Sequence, residues 1–312
     1  MWYCGVECQR ADWKSVHRYE CIYYKADVAR SRKCILDSSI TSFVLKLLLI
    51  SQKMPEKTTK MYPTYNGGKR CFNQLMDHCD EIPQDEVRMK VFYQIVERLV
   101  TAEVDMESIE KVFSMFGKII INAFAVSDNS LNVIGNALYI GISALDHSCS
   151  PNCIPVFDGT RVEVRTIKEF DSEKEPPCFP YIDVRFSREK RQRSLREQYY
   201  FTCQCELCSS GDETDLGENL DEMDKEFDDL IGKERWEEAI DKGLATLPLY
   251  EKVYPKYFPN KTLQLARLGK ISMLIQDPRH NSIITMLEEA ILVTHGKNHS
   301  LYKELHFGEE AK

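Results

Sequence analysis

The chain has 312 residues and a formal net charge of −8 at pH 7, which allows one to three domains with buried cores. The acidic balance argues against general nucleic-acid binding, which requires a basic face, but it does not exclude a basic protein tail as substrate. No secretory run is visible, and the most apolar window, residues 43–50, is too short to span a bilayer. We therefore expect a nuclear and cytoplasmic protein without a membrane partner, whose twelve cysteines are metal ligands or buried thiols rather than disulfides.

The first predicted element is a metal-held module at residues 1–21, which are dense in Cys, His and aromatic side chains. Residues 35–52 carry apolar side chains at helical spacing. Residues 53–70 are rich in Lys, Thr, Pro and Gly, which indicates a loop. Helical patterns return at about 85–101 and 105–121.

Beyond residue 130 the pattern indicates short strands. Residues 132–142 predict a strand or an irregular segment punctuated by glycines. Two runs that alternate apolar and polar side chains flank Asp158-Gly159, which predicts a β-hairpin over residues 153–167. The following segment, 168–180, is charged and then proline-rich, and it is predicted as a loop because proline cannot donate to a strand ladder.

From Ser187 onward the sequence predicts helices. The first runs past Arg196 to a cysteine cluster at 203–208, and an acidic linker follows at 209–221. The remaining helices are predicted at about 222–232, 234–246, 258–275, 281–294 and 299–306. Their spacing indicates stacked helical pairs without an exact internal repeat.

The clearest metal-ligand spacing is Cys203-x-Cys205-x2-Cys208. Three thiolates on one tight turn suit zinc, which requires four ligands in tetrahedral geometry. One ligand must therefore come from elsewhere in the chain. The alternative interpretation is a chance cluster of buried thiols.

The run D-H-S-C-S-P-N at residues 146–152 resembles the N-H-S-C-x-P-N signature of SET domain methyltransferases. In that family the signature threads a knot-like crossing beside the cofactor. Its cysteine completes a zinc site with a downstream C-x-C-x2-C, the post-SET element. The resemblance therefore implies that Cys149 is the fourth ligand. Without the family, His147 would more often be a structural histidine than a catalytic one.

The N-terminal pattern Cys4-x3-Cys8-x8-His17-x3-Cys21 resembles the second half of a MYND zinc finger. In that finger two zinc ions are bound crosswise, which implies Cys4 and Cys8 on one ion and His17 and Cys21 on the other. We expect the two earlier C-x2-C pairs to be missing. Three alternatives follow: two zinc ions that each lack two ligands, a single zinc with three cysteines and one histidine, or a segment without metal. MYND fingers typically engage proline-rich peptides, which makes such a peptide a candidate partner.

The combined layout resembles that of the SMYD family of protein lysine methyltransferases. The resemblance implies an α+β fold, with a SET β-fold carrying inserted helices, a partial MYND finger, a post-SET zinc site and a C-terminal α-helical, TPR-like domain. The implied domains are a partial MYND finger at 1–21, a helical linker and SET insertion at 22–130, the SET core at 131–185, the post-SET zinc element at 186–208 and the helical domain at 222–312.

The resemblance also implies the reaction, which is methyl transfer from S-adenosylmethionine to a lysine of a histone or another protein. Tyr181, in the run Tyr181-Ile182-Asp183, takes the place of the family tyrosine that orients the lysine amine. The cofactor contacts that carry over are Asn122, Ser143, Asp146, His147, Tyr199 and Phe201. Read without the family, each of these side chains has an ordinary structural role.

Three features depart from the family pattern. We expect the N-terminal SET strands and their Gly-rich cofactor loop to be missing. Asp146 replaces an asparagine, and an ionised aspartate only accepts hydrogen bonds. Three prolines, at 176, 177 and 180, occupy a stretch where a strand should pair. The missing N-terminal loop and the proline-rich segment favour an alternative function, a catalytically impaired SMYD-like protein that acts as a zinc-stabilised interaction scaffold.

Overall fold

The computed structural model describes residues 3, 5–31, 36, 38–211 and 215–305. Helices and short strands alternate along the chain, which confirms the predicted mixture. Contacts divide the chain into two compact units: Met1–Phe124 with Gly135–Ala144, and Ala125–Ile134 with Leu145–Lys312. Among the helices of the described residues, none combines the length and the apolar character needed to cross a membrane.

The first unit begins with three consecutive helical segments. Helix α1 (Val6–Asp12) leads into a π-helical turn (Trp13–His17), and helix α2 (Arg18–Ser31) follows. Val16 is 1% exposed, whereas α1 has no buried residue. The described part of the predicted N-terminal module is therefore helical.

Helix α3 (Ser39–Lys53) is followed by a short helix α4 (Glu56–Thr59) and by strands β1 (Tyr62–Pro63) and β2 (Lys69–Arg70). The two strands pair antiparallel. The predicted loop over residues 53–70 therefore contains a short helix and two paired strands. The Lys, Thr, Pro and Gly residues there form a one-turn helix and a hairpin turn, in which Gly67 adopts a φ of +77° that suits glycine.

Helices α5 (Glu86–Thr101) and α6 (Ile109–Asn122) confirm the two predicted helices. The side chains of Asp85 and Ser108 cap their first turns by accepting from backbone N–H groups. Helices α3, α5 and α6 contact one another, and their apolar faces form the core of this unit. Its buried side chains include Leu45, Leu48, Phe92, Ile95, Leu99, Val112 and Phe116. Strands β3 (Ala123–Ser127) and β4 (Val133–Leu138) then pair in a two-stranded sheet.

The second unit contains four further short strands, β5 (Asp146–His147), β6 (Cys153–Asp158), β7 (Arg161–Thr166) and β8 (Cys178–Phe179). Strands β6 and β7 form an antiparallel hairpin closed at Asp158 and Arg161, which confirms the turn predicted at Asp158-Gly159. Strands β5 and β8 pair in parallel.

The pairing of β8 corrects the predicted loop over residues 168–180. The amide of Asn152, which is 2% exposed, donates to the carbonyl of Pro176 at 3.0 Å and accepts from the N–H of Cys178 at 2.8 Å. Pro177 and Pro180 lie just outside the two paired residues. The ladder therefore loses no hydrogen bond to a proline, and the proline-rich stretch accommodates a strand.

The rest of the second unit is helical. The helices are α7 (Arg188–Tyr199), α8 (Glu206–Ser209), α9 (Gly217–Gly232), α10 (Trp236–Val253), α11 (Pro259–Leu274), α12 (His280–Thr294) and α13 (Ser300–Glu304). Helix α9 begins inside the predicted acidic linker. Consecutive helices from α9 to α12 contact one another, as the predicted stacked pairs require.

The sequence predicted that the helix from residue 234 ends at residue 246. Helix α10 instead continues through Pro248 to Val253. An interior proline costs about 3 kcal/mol. Leu247 and Tyr250, on either side of it, are 9% and 6% exposed. Burial of two large side chains contributes roughly 1.5–3 kcal/mol each, which offsets the loss of one helical hydrogen bond.

An apolar cluster joins the hairpin to the helices of the second unit. Ile154 and Val156 of β6 pack in one cluster with Leu195 of α7, with Tyr250 of α10 and with Tyr254, which directly follows α10. Three cysteines, Cys149, Cys203 and Cys208, belong to the same cluster. The C-terminal helices therefore support the segment that carries the predicted site residues.

Candidate metal centre and active site

The structure brings four cysteines together in the second unit. Cys149 follows β5, Cys203 and Cys205 precede α8, and Cys208 lies within α8. Their sulfur atoms all lie within 4.8 Å of one another, and Cys205 alone of the four is not buried. Tetrahedral zinc with Zn–S bonds of about 2.3 Å places its sulfurs about 3.8 Å apart. We name these residues the four-cysteine cluster, and their donor set fits zinc.

Helix α7 holds the cluster through two consecutive side chains. Gln192 accepts from the N–H of Cys203 at 2.9 Å and donates to its carbonyl at 2.7 Å. Arg191 donates to the carbonyl of Phe186, and its Nη2 lies 3.9 Å from Sγ of Cys208. The sequence prediction missed both residues, because no local pattern distinguishes them from the exposed polar side chains of the same helix.

The thiols of the cluster do not ionise independently. Hydrogen bonds from the thiols of Cys149 and Cys203 lower the pKa of Cys205. Hydrogen bonding to Cys203 and Cys205 raises the pKa of Cys149. These opposite shifts favour a thiolate at Cys205 and a protonated thiol at Cys149. A bound divalent cation would favour the thiolate form of all four cysteines.

His147 connects the cluster to Tyr181. Its Nδ1 accepts the backbone N–H of Tyr181 at 2.9 Å, so the ring proton resides on Nε2. Nε2 lies 3.2 Å from Sγ of Cys149, and this N–H therefore donates to the sulfur. Burial lowers the pKa of His147 to about 4, which keeps the ring neutral at pH 7.

Tyr181 lies among aromatic rings. Its hydroxyl donates to the carbonyl of Leu145 at 2.5 Å, and the hydroxyl of Tyr199 donates to the carbonyl of Tyr181 at 3.3 Å. Ring centroids of Phe179, Tyr199, His147 and Phe201 lie 5.1, 5.0, 5.3 and 6.4 Å from that of Tyr181. We name these five residues the aromatic cluster. It includes three of the predicted cofactor contacts and the predicted catalytic tyrosine.

The other predicted cofactor contacts have different surroundings. Asn122 and Ser143 belong to the first unit, where Asn122 donates to the carbonyls of Met76 and Lys118 at 2.8 and 2.9 Å. The hydroxyl of Ser143 donates to the carbonyl of Ile140 at 2.8 Å. These donors are engaged within the unit, whereas Asp146 in the second unit has an exposed side chain.

The N-terminal candidates lie along one helical stretch. Cys8 is exposed in α1, and nine residues at 1.5 Å each place it about 14 Å from His17 along the helix axis. Nδ1 of His17 lies 3.5 Å from Oε2 of Glu20. Within the described residues, the four-cysteine cluster is the one group of three or more Cys, His, Asp or Glu ligands close enough to share an ion. Cys4 lies outside the described residues.

Comparisons with known proteins match the N-terminal cysteine pattern and find relatives over most of the chain. The family model of the MYND finger matches residues 1–21. The histone-lysine N-methyltransferase SMYD3 of Mus musculus is 23% identical over 354 residues, covering 97% of this chain and 81% of that protein. The N-lysine methyltransferase SMYD2 of Gallus gallus is 23% identical, with coverage of 97% and 81%. The histone-lysine N-methyltransferase ASHR1 of Arabidopsis thaliana is 31% identical over 217 residues, which cover 67% of this chain and 42% of that protein.

Proposed function

The chain belongs to the SMYD family, and we propose that it is a protein-lysine N-methyltransferase that uses S-adenosylmethionine. The acceptor is a lysine of a histone or of another protein. Relatives that are named lysine methyltransferases over 97% of this chain support the proposal. The observation that carries it is the environment of Tyr181 in the aromatic cluster.

Tyr181 suits the role of orienting a lysine amine. Because its hydroxyl proton is donated to Leu145, the oxygen lone pairs remain available to accept an N–H of the amine. Removal of an incoming lysine from water would favour its neutral amine, since desolvation disfavours the charged form. A neutral amine held in line with a methyl group is the geometry that methyl transfer requires.

The residues proposed for the cofactor match its chemistry. S-adenosylmethionine supplies a methyl group bonded to a sulfonium. The exposed carboxylate of Asp146 can accept hydrogen bonds from a cationic amino group, although it cannot donate as an asparagine would. Tyr199 and Phe201 offer ring faces suited to an adenine base, and His147 holds the backbone of Tyr181. Asn122 and Ser143 remain proposed contacts from the first unit.

The four-cysteine cluster is proposed to bind one zinc ion as a structural centre. Its ligands close the tetrahedron, which leaves no open position for catalysis. Bound metal would keep Cys149 in place, and with it the ring of His147 and the backbone of Tyr181. Cys4, Cys8, His17 and Cys21 remain candidate ligands of the MYND finger, and a proline-rich peptide remains its proposed partner.

A methyl-transfer assay tests the function. Radiolabelled methyl groups from S-adenosylmethionine should be incorporated into histones or into proteins of a cell lysate by the full chain. Tyr181→Phe should lower the rate by about 100-fold, the usual effect of losing one transition-state hydrogen bond. Tyr93→Phe is the matched control, because Tyr93 is 62% exposed on α5.

Equal rates for the wild type and Tyr181→Phe would contradict the assignment of Tyr181. No transfer by the wild type, together with no calorimetric signal for S-adenosylmethionine at millimolar concentration, would contradict catalysis. That second result would favour the interaction scaffold instead.

A further inference from the structure

Arg191 is a buried cation without a carboxylate partner. Its side chain is 4% exposed, and Nε has no hydrogen-bond partner in the described residues. Of its remaining donors, Nη1 bonds the carbonyl of Phe186 and Nη2 approaches Sγ of Cys208 at 3.9 Å. No acidic group in the described part of the chain forms an ion pair with it. The groups near its guanidinium that can become anions are therefore the thiols of the four-cysteine cluster.

A buried guanidinium without an anion is strongly destabilising, because desolvation of the charge is not repaid. Neutral thiols cannot compensate the cost of desolvating the guanidinium, whereas ionised thiolates can. Zinc bound by four thiolates has a net negative charge, since four anions outweigh one divalent cation. The positive charge of Arg191 and the negative charge of a metal-loaded cluster would therefore stabilise each other.

The other described donors to the sulfurs are neutral. Nε2 of His147 donates to Cys149, and the backbone N–H of Cys205 lies 3.4 Å from Sγ of Cys203. These contacts orient the sulfurs but leave the charge of the centre uncompensated. Gln192, the neighbour of Arg191, bonds the backbone of Cys203 and not its sulfur.

We propose that Arg191 is the counter-cation of the four-cysteine zinc centre. Its guanidinium donates to the Cys208 thiolate, compensates the negative charge of the loaded site and thereby raises zinc affinity. The inference rests on the zinc proposed above and is independent of methyl transfer. It also assigns Arg191 a role that depends on the metal, which an ordinary packing residue would not have.

Two substitutions in the full chain separate charge from shape. Arg191→Lys keeps the positive charge, and Arg191→Gln keeps an amide donor for the carbonyl of Phe186 without the charge. Arg193→Gln is the control, since Arg193 lies on the same helix, is 57% exposed and pairs with Glu189. Zinc affinity is measured by competition with a chromogenic chelator, and unfolding temperatures are measured with zinc and after chelator treatment.

We expect Arg191→Gln to weaken zinc binding by about 10- to 100-fold, the usual effect of losing an outer-shell partner. Arg191→Lys should stay within about fivefold of the wild type, and the control should be unchanged. Arg191→Gln should lower the unfolding temperature of the zinc-loaded protein more than that of the chelator-treated protein, in which fewer of the four cysteines are thiolates.

Three results would contradict parts of this inference in different ways. Wild-type zinc affinity in Arg191→Gln would remove the counter-cation role. Equal losses in Gln and Lys, or equal destabilisation with and without zinc, would make Arg191 a packing residue. Equal zinc content in the wild type and in Cys205→Ser would overturn the proposed zinc centre itself, whatever the outcome of the methyl-transfer assay.

Discussion

Each of the two cysteine-rich regions of the chain offers four candidate metal ligands in sequence, but the regions differ in three dimensions. The four-cysteine cluster collects sulfurs from two distant segments into a group within 4.8 Å. In the N-terminal segment, residues 5–31, the exposed Cys8 and the half-buried His17 lie more than two helical turns apart. The spacing of cysteines and histidines in the sequence identifies candidate ligands. A metal centre also requires that their ligand atoms lie close together in the folded chain.

The two regions also differ in what stabilises them. The four-cysteine cluster is part of an apolar core and is bonded by Arg191 and Gln192. The N-terminal segment contacts α3, where the buried carboxylate of Glu20 lies 3.8 Å from Nζ of Lys46. Burial raises the pKa of Glu20. The four-cysteine cluster is therefore held by an apolar core and by hydrogen bonds from α7, whereas the described part of the N-terminal segment is held by packing and by ion pairs of Lys46 with Asp12 and Glu20.

The largest expected effect comes from removing a ligand of the four-cysteine cluster. Cys205→Ser should lose one zinc ion per chain and destabilise the fold by on the order of 5 kcal/mol, because structural zinc contributes its binding energy to folding. Affinity for S-adenosylmethionine should fall with it, since Cys149 and His147 would no longer hold Tyr181. Zinc content by mass spectrometry, denaturant unfolding and calorimetric titration measure the three effects.

Cys8→Ser is the matched change in the N-terminal segment. Because Cys8 is exposed, it should alter unfolding by less than about 0.5 kcal/mol and leave the zinc of the four-cysteine cluster in place. A loss of stability in Cys8→Ser as large as that in Cys205→Ser would contradict the difference between the two regions.

A smaller effect is expected from Gln192→Leu. The substitution leaves the buried N–H and carbonyl of Cys203 without their partner, which should cost about 3 kcal/mol and speed the release of zinc. Denaturant unfolding and the rate of zinc transfer to a chelator measure both effects. Gln198→Leu, at an exposed position of the same helix, is the control, and equal effects of the two changes would remove the role of Gln192.

A smaller loss of stability than in Gln192→Leu is expected from Val16→Ala in the N-terminal segment. Val16 is 1% exposed, and loss of its two methyl groups should cost about 2 kcal/mol. Val6→Ala, at a residue that is 60% exposed, should have little effect. The difference between the two variants should persist after chelator treatment. Its disappearance without zinc would mean that metal also holds this segment.

The sequence alone predicted elements whose signals are local. Asp85, Ser108 and Ser187 accept from backbone N–H groups at the starts of their helices, and Asp158-Gly159 closes a hairpin. Capping and turn chemistry act within a few residues, so they can be read without the fold. The family resemblance added Cys149 and Tyr181 as site residues, and the structure places both beside His147.

The remaining features depend on contacts between distant residues. The parallel pairing of β5 with β8, the continuation of α10 through Pro248 and the bonds of Asn152 each required partners that no local pattern specifies. The contacts of Arg191 and Gln192 with the four-cysteine cluster could not be predicted for the same reason. A buried polar residue on a helix has the same sequence signature as an exposed one. The sequence by itself determined which residues could bind a metal and the approximate positions of most helices and of the β6–β7 hairpin, because those signals are local. Only the tertiary structure decided which cysteines lie close together and that the guanidinium of Arg191 lies beside them, because burial and proximity are properties of the packed chain.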